Sequence, residues 1–323
     1  MRLYLKASFR QAGRASLIPA NRLYSPFMDH SPANIAAILA VAILSILLLW
    51  QLAWLVVRLA ARALRLLAAR LPSSRVWARM HPLRAALAQR FPRTYAWFDR
   101  RLHPRRFTGL PLTLMVTAAL YLASLIGGLI EELIEADQII VFDSIVDALI
   151  DPYRRPLLIR IFSWITDLGG SAALLAVIMV ATGFLWAYRR PHYILPLWVT
   201  NLGAHTFTWL GKFGFDRERP EFVTSVTALS PSFPSAHATG AMAVYGFMAY
   251  IIARDLQGPR ERFEITFWTT VLIALIGFSR IFLSVHYTSD VVTGFLVGGF
   301  WLLVGFAIAE YGRQREVAFS ASR

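Results

Sequence analysis

Cysteine is absent from the 323 residues, lysine occurs only at Lys6 and Lys212, and charged residues make up 16%. Without cysteine there are no disulfides, thiolate metal sites, iron–sulfur clusters or thiol nucleophile. A soluble domain carries roughly a quarter charged residues. This chain is instead 57% hydrophobic, with a mean hydropathy of +0.52. Such a composition belongs to an integral membrane protein. Acidic residues are also scarce, 19 against 33 basic ones, for a formal net charge of +14. The surplus is concentrated: from Arg58 to Arg106, thirteen arginines stand against one acid, Asp99, directly after a long apolar run. A basic stretch in that place marks a connector lying on anionic membrane lipid and argues against a nucleic-acid partner.

What the chain does contain is a series of apolar runs. A bilayer core of about 30 Å takes roughly 20 apolar residues per helix. Seven runs approach that length: Ile35–Val57, Leu110–Ile130, Ser171–Tyr188, Tyr193–Gly211, Ala238–Ala253, Ile265–Val285 and Thr288–Ala309. The fifth is short, and the last two nearly touch, which predicts a tight turn near His286–Thr288. Backbone groups within a bilayer must be satisfied inside their own segment, so every span is expected to be helical. After Arg58, Leu59–Leu71 sets Arg62 and Arg65 at helical spacing among leucines, the pattern of an amphipathic helix lying on a membrane surface.

The basic residues also predict an orientation. Arg58–Arg106, Arg189–Arg190, Arg254 with Arg260 and Arg262, and Arg313 with Arg315 fall on one side, which is cytoplasmic by the positive-inside rule. The other side receives Glu131, Glu132, Glu135, Asp137, Asp143, Asp147 and Asp151. The first residues, with Arg2, Lys6, Arg10, Arg14 and Arg22, read as a targeting extension or a misplaced start. Arginine-rich, lysine-poor usage suggests a bacterial inner membrane, with the acidic side toward the periplasm.

Three polar clusters fall at span ends on that outer side. The first runs from Lys212 to Arg219–Pro220, the second is Pro234–Ser235–Ala236–His237, and the third is Ser279–Arg280, His286 and Asp290. Lys212, Arg219 and Arg280 bring three cations to one face, as a phosphate requires. Ser235 and the backbone N–H groups of Ala236 and His237, at a helix start, add anion donors. His286 and Asp290 are one helical turn apart. An aspartate accepting from Nδ1 leaves Nε2 as an oriented nucleophile, and His237 is then available as a general acid. Taken singly, Lys212, Arg217 and Arg219 read as interfacial anchors, and Pro220 and Pro234 as loop punctuation. Taken together, the clusters supply a phosphate clamp, a nucleophile, its orienter and an acid.

In order and spacing these residues resemble the type 2 phosphatidic acid phosphatase (PAP2) signature: Lys-x6-Arg-Pro, Pro-Ser-Gly-His, then Ser-Arg-x5-His-x3-Asp. The likeness covers about Leu110 to Tyr311. It implies a six-helix PAP2-type transmembrane core, here preceded by one additional N-terminal transmembrane helix. The expected organisation is a tail over 1–34, the extra helix at 35–57, a basic connector at 58–108, the phosphatase domain at 109–311 and a cytoplasmic tail at 312–323. The resemblance also implies a phosphohistidine at His286, oriented by Asp290, with His237 protonating the leaving group. Lys212, Arg219, Ser235, Ala236 and Arg280 match the phosphate-binding positions, and neither metal nor cofactor is implied. The one departure is Ala236 in place of glycine: a negative φ there would accommodate the methyl, and a positive φ would cost about 1 kcal/mol.

The resulting expectation is a metal-independent lipid phosphate phosphatase acting on phosphatidic acid, phosphatidylglycerol phosphate or undecaprenyl diphosphate. A lipid-to-lipid phosphotransferase using the same phosphohistidine is the alternative. A non-catalytic scaffold or transporter would require a lost position in the constellation, and none is lost.

Overall fold

The computed structural model describes residues 32–70, 75–103, 107–135, 138–221 and 230–321. Most of the tail expected over 1–34 lies outside the described residues, as do Arg105, Arg106 and Asp137 and the last two residues. Regular structure among the described residues is entirely helical. The chain divides into two compact units between Pro92 and Arg93.

The first unit holds α1 (Pro32–Arg70) and α2 (Arg75–Arg90). At 1.5 Å per residue, the 39 residues of α1 span roughly 58 Å, well beyond a bilayer core. The expected span Ile35–Val57 and the amphipathic segment after Arg58 are therefore one helix, not two. The run from Arg58 to Arg70 consists of Leu, Ala and Arg, all strong helix formers, so nothing in it ends the helix.

The second unit begins one residue into α3 (Pro92–Arg101), followed by α4 (Leu110–Glu135), α5 (Gln138–Ile150) and α6 (Pro156–Asp167). Then come α7 (Ser171–Ala187), α8 (Ile194–Phe215), α9 (Ala236–Asp255), α10 (Pro259–Phe282) and α11 (Thr288–Ala321). α11 is central and packs against α9, α4 and α8; α10 packs on α9 and α6. Each helix meets the core along one stripe: Leu174, Ile178, Ala181 and Leu185 on α7, Val244, Phe247 and Ile251 on α9, and Leu302 and Ala309 on α11. These spacings of three, four and seven residues are one helical face.

Lipid tails offer no hydrophobic drive between helices, so small residues that allow close approach matter most. A methyl on Gly294 of α11 would lie 2.7 Å from the carbonyl oxygen of Ser235, and one on Gly203 of α8 would lie 2.2 Å from the Trp301 ring. Both contacts exist only because the side chain is a hydrogen.

Among the described residues, five helices, α1, α4, α9, α10 and α11, are individually long and apolar enough to cross a membrane. The expected span at Ser171–Tyr188 is part of a longer element, because α6 and α7 form a pair bent by 40° at Leu168–Gly170 that qualifies together. α6 escaped notice because it is only 12 residues long and carries Arg160. α8 is 22 residues long, but Asn201, His205 and Lys212 interrupt its apolar run, and it is not among these five. Part of the acidic segment between the second and third expected spans is helical, as α5. The tight turn before α11 is present over residues 283–287.

Candidate active site

The end of α8, the start of α9, the end of α10 and the start of α11 meet at one end of the bundle. All eight sequence-predicted residues, Lys212, Arg219, Ser235, Ala236, His237, Arg280, His286 and Asp290, lie there. His237 is within electrostatic reach of Arg280, His286, Arg219 and Lys212. Backbone bonds tie these segments together. Ser232 N–H donates to the carbonyl of Arg217 (2.9 Å), Ser235 N–H to that of Asp290 (3.0 Å), and His286 N–H to that of Arg280 (3.3 Å).

His286 sits in the turn between α10 and α11. Ser284, buried and at φ 55°, makes that turn by entering the left-handed region, and its hydroxyl donates to the Glu221 carbonyl (3.0 Å). Asp290 is the third residue of α11 and accepts from the N–H of Tyr287 (3.0 Å), as an acid there does in a capping box. The same oxygen, Oδ2, accepts from Ser232 Oγ and faces His286 Nδ1 at 3.4 Å. With Nδ1 carrying the hydrogen, Nε2 presents its lone pair to Arg219 Nη1, 3.3 Å away. Burial pushes the His286 pKa below its ordinary value, against the opposing pull of Asp290, so the ring is neutral near pH 7.

Arg219 lies in the loop after α8. Its Nε donates to the Ser230 carbonyl (2.8 Å), Nη1 to that of Val285, and Nη2 to Ser230 Oγ (3.3 Å) and the Pro231 carbonyl (3.4 Å). Burial lowers its pKa and Asp290 opposes the shift. Lys212, in the last turn of α8, also donates to the Pro231 carbonyl. Arg280 is buried near the end of α10 and holds Thr166 Oγ1 at the α6–α7 bend (2.9 Å). Ser235 caps α9, yet its hydroxyl makes none of the usual bonds to that helix and is buried without a partner, as is Nε of Arg280. Unpaired buried donors beside three cations make a receptor for an anion. Ala236 opens α9 and is not among the positive-φ residues, so its methyl brings no strain.

The sequence reading missed Arg217, whose interfacial-anchor interpretation the structure overturns. Arg217 is buried, with Nη1 donating to Asp290 Oδ1 (2.6 Å) and Nη2 to Asp143 Oδ2 (2.8 Å). Burial disfavours its charge, but Asp290 and Asp143 outweigh that and hold its pKa above the ordinary value. Asp143, Ser232, Ser289 and Thr166 were also missed. Their roles depend on partners distant in the chain, and Arg217's place two residues before Arg219 was the one local signal.

An apolar groove of about 210 Å³ abuts this end, between Ile126 and Ile130 of α4, Phe207 and Leu210 of α8, and Val297 of α11. Phe233 and Pro234, immediately before Ser235, close it.

Residues 164–314 match the family described as PAP2 superfamily. Phosphatidylglycerophosphatase B of Bacillus subtilis (strain 168) is 32% identical over 156 residues, covering 47% of this chain and 77% of the relative. The chain belongs to the PAP2 superfamily. A crystal structure described as the first transmembrane PAP2-type phosphatidylglycerolphosphate phosphatase, from Bacillus subtilis, superposes with a TM-score of 0.53 at 27% identity. That match covers 62% of this chain and 96% of the solved one. This superfamily member is an integral membrane protein and a phosphatase.

Proposed function

We infer that the protein hydrolyses a lipid phosphate, phosphatidylglycerol phosphate first among candidates, through a phosphohistidine on His286. The observation that carries this reading is the aim of His286. Its Nδ1 is backed by Asp290, and its Nε2 faces the Arg219 guanidinium in a cluster that includes Lys212 and Arg280. The groove at Pro234 supports a substrate with an alkyl chain, since it lies directly against the Ser235 phosphate position. Its volume suits a stretch of chain and leaves the rest in lipid. The names of the two Bacillus subtilis proteins favour phosphatidylglycerol phosphate over phosphatidic acid or undecaprenyl diphosphate.

In the first step Nε2 attacks phosphorus, the bond to the lipid oxygen breaks, and His237 gives that oxygen a proton. The new imidazolium keeps its Nδ1 proton against Asp290. Nε2 can no longer accept from Arg219, whose Nη1–H is released to a phosphoryl oxygen. Lys212, Arg280, Ser235 Oγ and the N–H groups at the start of α9 hold the other oxygens, and these fixed donors stabilise the transferring group. In the second step water attacks, His237 takes its proton, and the P–N bond breaks to release inorganic phosphate.

The site is inferred to face the periplasm across a bacterial inner membrane. Arg189, Arg190, Arg254, Arg260, Arg262 and Arg313 crowd helix ends away from the site, which supports a cytoplasmic assignment for those ends. The basic residues after Arg58 are inferred to rest on anionic lipid. A topology reporter inserted near Arg84 should read cytoplasmic.

The test is phosphate release by detergent-purified protein in EDTA from the three lipids, with His286→Ala as control. Release confined to the wild type, fastest from phosphatidylglycerol phosphate, is expected. Equal release by His286→Ala would remove the nucleophile assignment.

A further inference from the structure

Behind the nucleophile lies a buried charge relay that the hydrolytic steps do not use directly. Arg217, Asp143, Ser289 and Asp290 are 4%, 2%, 4% and 0% exposed. Arg217 Nη1 donates to both Asp290 Oδ1 (2.6 Å) and Ser289 Oγ (2.8 Å), while Nη2 donates to Asp143 Oδ2 (2.8 Å). Asp143, on α5, accepts in turn from the N–H (3.0 Å) and hydroxyl (2.5 Å) of Ser289. The Tyr287 ring covers the guanidinium, 4.2 Å from its carbon to the ring centre. One carboxylate therefore caps the start of α11 from outside that helix, and one guanidinium spans both carboxylates.

We propose that Arg217 and Asp143 are positioning residues for the phosphoryl-transfer step. Arg217 clamps Asp290 Oδ1, so that Oδ2 is the oxygen turned to His286 Nδ1, and Asp143 fixes Arg217 and the first turn of α11 in register. A guanidinium suits this task because its nitrogens are fixed in one plane, so the carboxylate on Nη2 sets the direction of the bond that Nη1 gives to Asp290 Oδ1. The charges also balance at one particular stage. Two carboxylates and one guanidinium leave a net −1 beside a neutral imidazole, which the imidazolium of the phosphorylated state neutralises. The network is thus better matched to the intermediate than to the resting ring. Buried ion pairs seldom add net stability, and this one sits directly behind the nucleophile.

The proposal rests on the phosphohistidine reading, so its test combines turnover with a readout that needs none. The variants are Asp143→Asn, Arg217→Gln and the double substitution, in full-length protein. Each single variant is expected to lower kcat by about 10–100-fold, the range seen when partners that orient a metal-bound histidine are lost. KM and inhibition by inorganic phosphate should stay within about twofold, since neither residue is placed on the phosphate. Because both residues act on Asp290, adding Asp143→Asn to Arg217→Gln should lower kcat by much less than it does alone; fully multiplicative losses would overturn the proposal. A weakened grip on inorganic phosphate in Arg217→Gln would also overturn it, by making Arg217 a substrate ligand.

The second readout is ¹⁵N NMR of histidine-labelled protein, with the His286 signal assigned by its loss in His286→Ala. Wild type should show the Nδ1–H tautomer, and both single variants should shift toward a mixture of tautomers. An unchanged tautomer overturns the proposal whether or not any lipid is hydrolysed. Conversely, a shift in protein that releases no phosphate would uphold the positioning role while sinking the hydrolase reading. If Arg217→Gln fails to fold, the isosteric Asp143→Asn carries both readouts.

Discussion

Replacing Asp290 by asparagine changes one atom at the most heavily used acceptor of the site. The carboxylate takes four donors: Arg217 on Oδ1, and Ser232, Tyr287 and His286 on Oδ2. An amide has one acceptor oxygen, so its NH₂ must face either Arg217 or the other three donors. Facing Arg217 is the lesser conflict, and it keeps an oxygen on His286 Nδ1 but removes the negative charge. Attraction between an imidazolium and a carboxylate across 3.4 Å is roughly 5 kcal/mol at an effective dielectric of about 20. Arg217 draws off part of that, leaving roughly 4 kcal/mol, or about a thousandfold in the rate of forming the phosphohistidine. Phosphate release from a lipid phosphate in detergent and EDTA measures the effect, with thermal unfolding alongside. Breaking the buried pair should also lower stability by about 3–5 kcal/mol. A folded Asp290→Asn protein with kcat within tenfold of wild type would show that the carboxylate does not support charge on His286.

Three further outcomes are expected. His237→Ala should cost far less with a p-nitrophenyl phosphate ester than with an alkyl one, because a good leaving group needs no proton; equal losses on both would remove the acid role. Both Ser284→Gly and Ser284→Val lose the bond to Glu221, but glycine relieves the left-handed φ and should stay within about 1 kcal/mol of wild type, whereas valine is forced into it and should lose about 2–3 kcal/mol. Comparable unfolding temperatures for the two variants would contradict that account. Finally, burial depresses the His286 pKa, so below about pH 6.5 the unfolded chain binds a proton that the folded chain does not. The stability contribution is fully present above that pH and declines as pH falls through it. Wild type should therefore lose more thermal stability between pH 7 and 5 than His286→Gln does, and parallel curves would refute the depressed value.

The site was legible where chemistry follows from residue type at fixed local spacing. Lys212 with Arg219, Ser235 with His237, and Arg280, His286 and Asp290 each lie within one turn, cap or loop, so sequence separation stands in for distance. Asp143 and Arg217 are 74 residues apart, and Asp143 and Ser289 are 146 apart. No local period records such pairings, and Asp143 read as one acid among several in a polar connector. The same reasoning explains the helices. Apolar length disclosed α1, α4, α10 and α11, whereas α6 and the bend at Leu168–Gly170 were hidden because a half-length helix has no bilayer signature. The continuity of α1 past Val57 went unseen because a change from apolar to basic residues looks like a boundary, although the backbone has no reason to stop there.

The Arg154 side chain adds a consequence for how the molecule is made. It follows α5, and it donates to Asp147 (2.5 Å), to Asp151 (3.1 Å) and to the carbonyls of Phe282 (2.9 Å) and Ile281 (3.2 Å), capping the last turn of α10. Those carbonyls are synthesised about 130 residues later, and Asp143 waits longer still for Ser289. The segment over α5 therefore emerges from the ribosome with its acids and arginine holding only one another. Arg217 joins Asp143 after α8, and the remaining partners come with the end of α10 and the start of α11. Burying such groups unpaired in a membrane is costly, which favours the water interface for the segment until those partners arrive. Assembly of the active site therefore waits for α11, and a product that stops before Ser289 would leave Asp143 without two of its donors.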